Sequence, residues 1–348
     1  MLVGSDFWFL KKVLVTGGAS FIGSHLVERL AAIGACVRVA DDLSSGKLEN
    51  LAAVKDQIEF CEGDLRDPRF ARQAASGCAV VFHLAASHGG RGYIDAHPVE
   101  CTTNMILDGV VFAAAHQARV DRLCFASSAC VYPVRLQKAP TDGTLVQLKE
   151  EWADPFAAGG AGSDGEYGWA KLMGEMTLQA YHKQHGLKGV SCRLFTAYGA
   201  RENETHAVIA LIAKAFVGMD PYPIWGSGGQ DRNFTYVGDI VDGMLLAAER
   251  IIDASAVNVG TAEHIKIRDV AEEIFLYTGF RPNQITFETT RPVGVFSRAA
   301  DLSQARSRLG WEPGNSFREG LAATIDWYYS HHERQAVAER LEGLLTER

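Results

Sequence analysis

Lys12-Val13-Leu14-Val15-Thr16 runs straight into Gly17-Gly18-Ala19-Ser20-Phe21-Ile22-Gly23, and this junction sets how the rest of the chain is read. The first five residues have the composition of a buried strand, the small residues after them that of a tight turn, and Phe21 to Ala32 that of a helix. Small residues there let backbone N–H groups approach a pyrophosphate at a helix N-terminus, where the dipole favours negative charge. Such a loop is weak evidence alone, but Asp41 follows at the end of the next apolar run, Cys36 to Ala40. An acidic residue about 20 positions on accepts hydrogen bonds from an adenosine ribose. Asp41 and Asp42 would repel a 2′-phosphate, so NAD is expected rather than NADP. Asp64, in Gly63-Asp64-Leu65, is expected to face the adenine.

Further strand-like runs at Ile58 to Cys61, Val80 to Leu84 and Leu123 to Ser127 alternate with helical stretches. Such alternation means βαβ units and a doubly wound parallel α/β sheet, the Rossmann arrangement. Its near-continuous apolar runs suit strands covered on both faces. Pro133 to Glu166, rich in Thr, Gly, Asp and Ala, reads as a long functional loop. A helix from Tyr167 to His185 and a strand from Gly189 to Phe195 follow. Later helices are expected at His206 to Val217, Asp242 to Ile252, Ile267 to Tyr277, Phe317 to Tyr329 and Val337 to Leu345. Residues 1–195, with 233–262 returning to them, are read as the cofactor domain, and most of 196–348 as a smaller substrate-binding lobe.

The 348 residues carry a net charge of −8, which argues against a nucleic-acid partner. Apolar content of 47% and charged content of 22% are ordinary globular values. No apolar run approaches the roughly 18 residues of a membrane span. The start, MLVGSDFWFLKK, has no basic residue ahead of its apolar stretch, so no secretory signal is expected. Seven Cys without a CxxC pair suit free thiols in a reducing compartment. A cytoplasmic protein is expected. No metal is expected either, since His182 and His185 share a helix with no evident third ligand.

Tyr167 and Lys171 are spaced i, i+4, so both point from one helix face, and an ammonium near the phenol is expected to lower its pKa from about 10. Ser128 and Cys130, continuing the fifth strand, would share a face and point into one pocket.

TGGASFIG, Asp41, GDL, HLAAS, SSACVYP, YGWAK, RLFTAYG and RNFTYVGDIVDG together resemble the extended short-chain dehydrogenases/reductases that act on nucleotide sugars. The likeness runs from about residue 12 to about residue 330. GGRGYI at 89–94 followed by SSACVYP is most similar to the GDP-mannose 3,5-epimerases, and Thr205 to Leu211 resembles the GDP-fucose synthases, whose catalytic histidine falls on His206. The resemblance implies tightly bound, recycled NAD, held at Gly17, Ser20, Phe21, Ile22, Gly23, Asp41, Asp64, Leu65, Ala85, Tyr167 and Lys171. It implies hydride chemistry at C4 through Ser128, Tyr167 and Lys171, with Cys130 and His206 as an acid–base pair inverting C5 or C3 beside a transient 4-keto group.

Gly90, Arg91, Ser128, Thr196, Trp225, Arg232 and Arg298 fall on substrate-binding positions, with Arg232 and Arg298 on the diphosphate and Trp225 beside the base. Ala129-Cys130 replace the Asp-Glu pair of the 4,6-dehydratases, so dehydration is not expected. A C4 epimerase acting on UDP-glucose or UDP-glucuronate is the alternative, as is a net 4-keto-sugar epimerase/reductase. A homodimer is implied, through helices at Val99 to Gln117 and Tyr167 to His185. Three departures stand out: Ser20 where glycine is usual, Thr196 for asparagine, and Arg91 for methionine. Arg91 is accordingly expected to pair with a substrate carboxylate.

Overall fold

A computed structural model describes residues 5–139 and 145–345. Part of the Pro133–Glu166 loop and the outermost terminal residues thus lie outside the described residues. Seven parallel strands form the main sheet: β1 (Lys12–Thr16), β2 (Cys36–Asp41), β3 (Ile58–Glu62), β4 (Val80–His83), β5 (Arg122–Ser128), β6 (Lys188–Leu194) and β7 (Ala256–Val259). Their order is β7-β6-β5-β4-β1-β2-β3, so the winding reverses at β1. In a doubly wound sheet that reversal opens a crevice beyond the strands' carboxyl ends, where ligands bind. The main sheet is Rossmann-like, as expected. β1 is buried along almost its whole length, because helices cover both faces.

α1 (Phe21–Ala32) starts where expected. α2 (Pro68–Ala75), α3 (Pro98–Gln117) and α4 (Gly165–His185) follow among the strands. Beyond β6, α5 (Ala207–Val217) opens a second apolar cluster, which also holds α7 (Ile267–Thr278), α8 (Phe317–His331) and α9 (Arg334–Leu344). Between them α6 (Val237–Arg250) buries Ile240, Met244 and Leu245 in the core of the main sheet. It begins five residues before the expected Asp242, because Gly238 masked an amphipathic stripe that starts at Val237. β7 then adds to β6 as the edge strand, in register from Ala256↔Ser191 to Val259↔Leu194. Among the described residues no helix is long and apolar enough to cross a membrane.

Candidate active site

A cleft of about 650 Å³ opens at the reversal of the sheet. Its cofactor side is shaped by backbone. Gly17 sits at φ +67°, where a side chain is strained, and a Cβ there would stand 2.8 Å from Ala85 N. A Cβ on Gly23 would meet Gly17 O at 2.1 Å. These two absences let the loop fold tightly over the start of α1. Ser20 needs no glycine: at φ −84° it is extended, and it lines the cleft with Phe21 and Ile22. The open amides at the N-terminus of α1 and the glycine cradle fit a pyrophosphate. Asp41, 5% exposed, accepts from Ala19 N and Leu43 N, both at 2.9 Å, which holds its carboxylate at the β2 end. Neither Asp41 nor the exposed Asp64 borders the cleft. The Asp64 carboxylate is taken by Arg66, 2.8 Å away, which together with a backbone N–H from Arg66 pulls its pKa down. Leu65 is buried in the core, Ala85 backs Gly17, and Ala86 lines the cleft instead.

Tyr167, Lys171, Ser128, Cys130, Thr196 and His206 all line the cleft. Tyr167 and Cys130 pack together with Cys101 and Ile94. Their adjacency follows from Gly168, where a Cβ would stand 2.3 Å from Cys130 O, so only glycine lets α4 press against this turn. Cys130 reaches the cleft differently from the expected extended strand. β5 ends at Ser128, whose Oγ accepts from Cys130 N at 3.1 Å and caps a single 3₁₀ turn, Ala129–Val131. Extension is broken because the Ser128 side chain competes for the backbone.

The Tyr167 pKa is also opposite to expectation. Burial, then the neighbouring Cys130 and Asp108, push it well above the tyrosine range, while a hydrogen bond with Ser128 pulls the other way. Lys171, 2% exposed, has Nζ 5.9 Å from the Tyr167 ring centroid, and burial pulls its own pKa down. Behind it, His83 Nε2 lies 3.0 Å from Asp108, and Thr16 Oγ1 lies 2.8 Å from His83 Nδ1.

His206 is the N-cap residue of α5. Glu202 Oε1, on a carboxyl whose pKa burial raises, lies 3.2 Å from His206 Nδ1. Neither Glu202 nor His88 was singled out from sequence, although both line the cleft. His88 is the residue just before GGRGYI, in the loop after β4, and a loop at the carboxyl end of a strand is where ligand-facing groups gather. Gly90 joins the two segments: its N–H donates to Thr205 Oγ1 at 3.0 Å, and a Cβ there would strike Thr205 O at 1.7 Å.

The arginines depart most from expectation. Arg91 does not wait for a carboxylate, because it already holds two: Asp164 at 2.8 Å and Asp95 at 2.6 Å. Arg298 is not a free phosphate fork either. Its Nε donates to Gln137 Oε1 (2.6 Å), one terminal nitrogen to Cys130 Sγ (3.3 Å) and the other to Asp164 Oδ2 (2.9 Å). Burial opposes its charge, yet Cys130 and Asp164 hold its pKa above the ordinary value. Burial likewise opposes the charge on Asp164, and Arg298 and Arg91 overcome it, so the pKa falls.

Arg232 lies beside them and donates to the carbonyls of Asp231, Val293 and Phe296. Burial, then the Arg298 charge, pull its pKa down to about 10, the condition of a cation suited to an incoming anion. Trp225 is not on the cleft wall. It lies under Arg291, 5.3 Å from the guanidinium carbon, with Lys214 Nζ at 5.8 Å. Among the described residues no cluster of three or more His, Cys, Asp or Glu is set to hold a metal.

Residues 13–260 match the NAD dependent epimerase/dehydratase family. A GDP-mannose 3,5-epimerase of Arabidopsis thaliana is 30% identical over 330 residues, spanning 93% of this chain and 84% of that protein. A UDP-glucose 4-epimerase of Mycolicibacterium smegmatis is also 30% identical, over 91% of this chain and 98% of its own. The solved UDP-glucose 4-epimerase of Thermotoga maritima with UDP-glucose superposes with a TM-score of 0.82 at 28% identity, covering 92% of this chain and all of that one.

Proposed function

The chain belongs to the NAD dependent epimerase/dehydratase family, whose members act on nucleotide sugars, and on that footing we propose that it is a nucleotide-sugar epimerase that inverts C5, C3 or both. The observation that carries the reading is that Cys130 and His206 border the same cleft as Tyr167, Ser128 and Lys171. NAD bound at the α1 loop supplies reversible acceptance of the C4 hydride. Tyr167 takes the C4 hydroxyl proton once the positive charges of Lys171 beneath the phenol and of the bound nicotinamide offset the burial that keeps it protonated, and Ser128 orients that hydroxyl. With C4 a ketone, the hydrogens on C3 and C5 become acidic. One member of the Cys130/His206 pair removes such a proton, and the other returns one to the opposite face. Reduction of C4 completes an isomerisation without net redox change.

Arg232 holds the diphosphate in this reading, and Arg298 instead orients Cys130. Residues 1–195 with 233–262 form the cofactor part, and most of 196–348 the substrate lobe. Val99, Ile106, Trp169 and Met173 are large exposed apolar side chains on α3 and α4, which supports a homodimer formed through those helices. Trp169→Glu should then turn a dimer into a monomer in analytical ultracentrifugation. Seven free thiols suit a reducing cytoplasm.

The test is incubation with GDP-mannose, UDP-glucuronate, UDP-glucose and dTDP-glucose, followed by NMR identification of products. A product inverted at C5 or C3, with no accumulated NADH, is expected. Inversion confined to C4 would make the protein a C4 epimerase, and a reduced or oxidised product an oxidoreductase.

A further inference from the structure

The His88 ring centroid lies 5.8 Å from that of His206 and 6.3 Å from that of Tyr167, so His88 stands between the two centres of the proposed reaction. It borders the cleft, and the Gly90–Thr205 contact holds its loop against the segment that carries His206. Resting on the epimerase reading above, we propose that His88 is the proton relay that resets His206 after each inversion.

The need for a relay follows from proton bookkeeping at the two centres. The proton that Tyr167 takes from the C4 hydroxyl returns to the same oxygen when C4 is reduced, so Tyr167 ends the cycle as it began. The Cys130/His206 pair does not. One member has gained a proton and the other has lost one, so His206 must exchange one before the next turnover. Its Nδ1 side faces Glu202, which is 5% exposed, and the part of the His206 side chain that is exposed, 23%, borders the cleft that the sugar fills. Beside His206 stands the His88 ring. Ring centroids 5.8 Å apart place two imidazole edges within reach of one bridging water. An imidazole takes a proton on one nitrogen and releases one from the other. The His88 ring thus passes a proton between His206 and cleft water and is itself unchanged. His88 acts through His206 and is a positioning residue for the inversion.

The experiment measures deuterium incorporation at the inverted carbon in D₂O, with the holoenzyme and whichever sugar of the panel turns over. His88→Ala should lower kcat for incorporation at least tenfold, with a smaller change in KM, and free imidazole should restore it in a saturable way. His88→Gln should be similarly slow but unresponsive to imidazole, because its side chain fills the space. Retained NAD and an unchanged melting curve check that both variants fold. Incorporation by His88→Ala at the wild-type rate overturns the relay, as does a loss that imidazole leaves untouched. A wild-type enzyme that places no deuterium on carbon overturns the epimerase reading itself, which keeps the two failures apart.

Discussion

The two walls of the cleft are built by different means. On the cofactor wall, position comes from backbone: a left-handed Gly17, a Gly23 with no room for a Cβ, and a carboxylate on Asp41 held by two amides within a few residues of the β1 and β2 ends. On the substrate wall, position comes from side chains that meet across long stretches of chain. Arg91 and Asp164 are 73 residues apart, Arg298 and Asp164 134, Arg298 and Gln137 161, and Arg298 and Cys130 168. The first wall tolerates no added atom. The second tolerates no lost charge, because Asp164 bridges two guanidinium groups at once. The difference predicts that the walls fail differently when disturbed.

The largest expected effect is on the substrate wall. Asp164→Ala removes the carboxylate paired with the buried Arg298 and leaves Arg91 with Asp95 alone, and breaking a buried ion pair by removing one partner costs about 3–5 kcal/mol. Urea unfolding should show that loss. A variant as stable as the wild type would mean that the charges are not held as described. Next, Gly23→Ala on the cofactor wall forces the loop aside, at about 1–3 kcal/mol for an overpacked site. The expected readout is NAD lost on gel filtration with folding retained, and full NAD content would show that the cradle is slack.

Arg298→Lys and Arg232→Lys then separate two roles within one wall. A lysine cannot reproduce the three-way fork, and losing a charge-assisted hydrogen bond costs about 1.5–3 kcal/mol. Arg298→Lys should therefore lower kcat by about 10- to 100-fold. Arg232→Lys should mainly raise KM for the nucleotide sugar. A reversed pattern would return Arg298 to the diphosphate.

The smallest effect is at Lys214, buried beneath Trp225, where burial pulls the ammonium down to about 8. At pH 7 the folded state carries a buried charge, so Lys214→Met should stabilise by about 1 kcal/mol. Between pH 8 and the ordinary lysine range the folded wild type sheds that proton while the unfolded chain keeps it, so wild-type stability rises and the advantage of Lys214→Met shrinks. An advantage that grows with pH in thermal melts would contradict this environment.

What was legible in the sequence follows the same division. The strands of the main sheet, the α1 loop and the spacing of Tyr167 and Lys171 are local patterns, and a period or a turn residue announces each of them. Cys130 and His206 were legible only through resemblance, since neither lies in a pattern that by itself means chemistry. The occupied forks of Arg91 and Arg298 were not legible, because their partners Asp164 and Gln137 lie in or beside a loop whose composition announces only turns. The ion pair of Asp64 with Arg66, two residues on, was not legible either, because the Gly63-Asp64-Leu65 motif announces the carboxylate and not its partner. The pKa of Tyr167 was misread because spacing reveals Lys171 but not the burial that outweighs it.

In the proposed reaction, hydride chemistry at C4 and proton chemistry at a neighbouring carbon share one cleft but use different side chains. Locating deuterium by NMR in the products of wild-type and Cys130→Ala enzyme in D₂O tests it most directly. Carbon-bound deuterium at C5 or C3 is expected in the wild-type product, and no inverted product from Cys130→Ala, with reversible reduction of bound NAD persisting. Wild-type inversion at C4 with no deuterium on carbon would contradict it, and would leave Cys130 and His206 as lining alone.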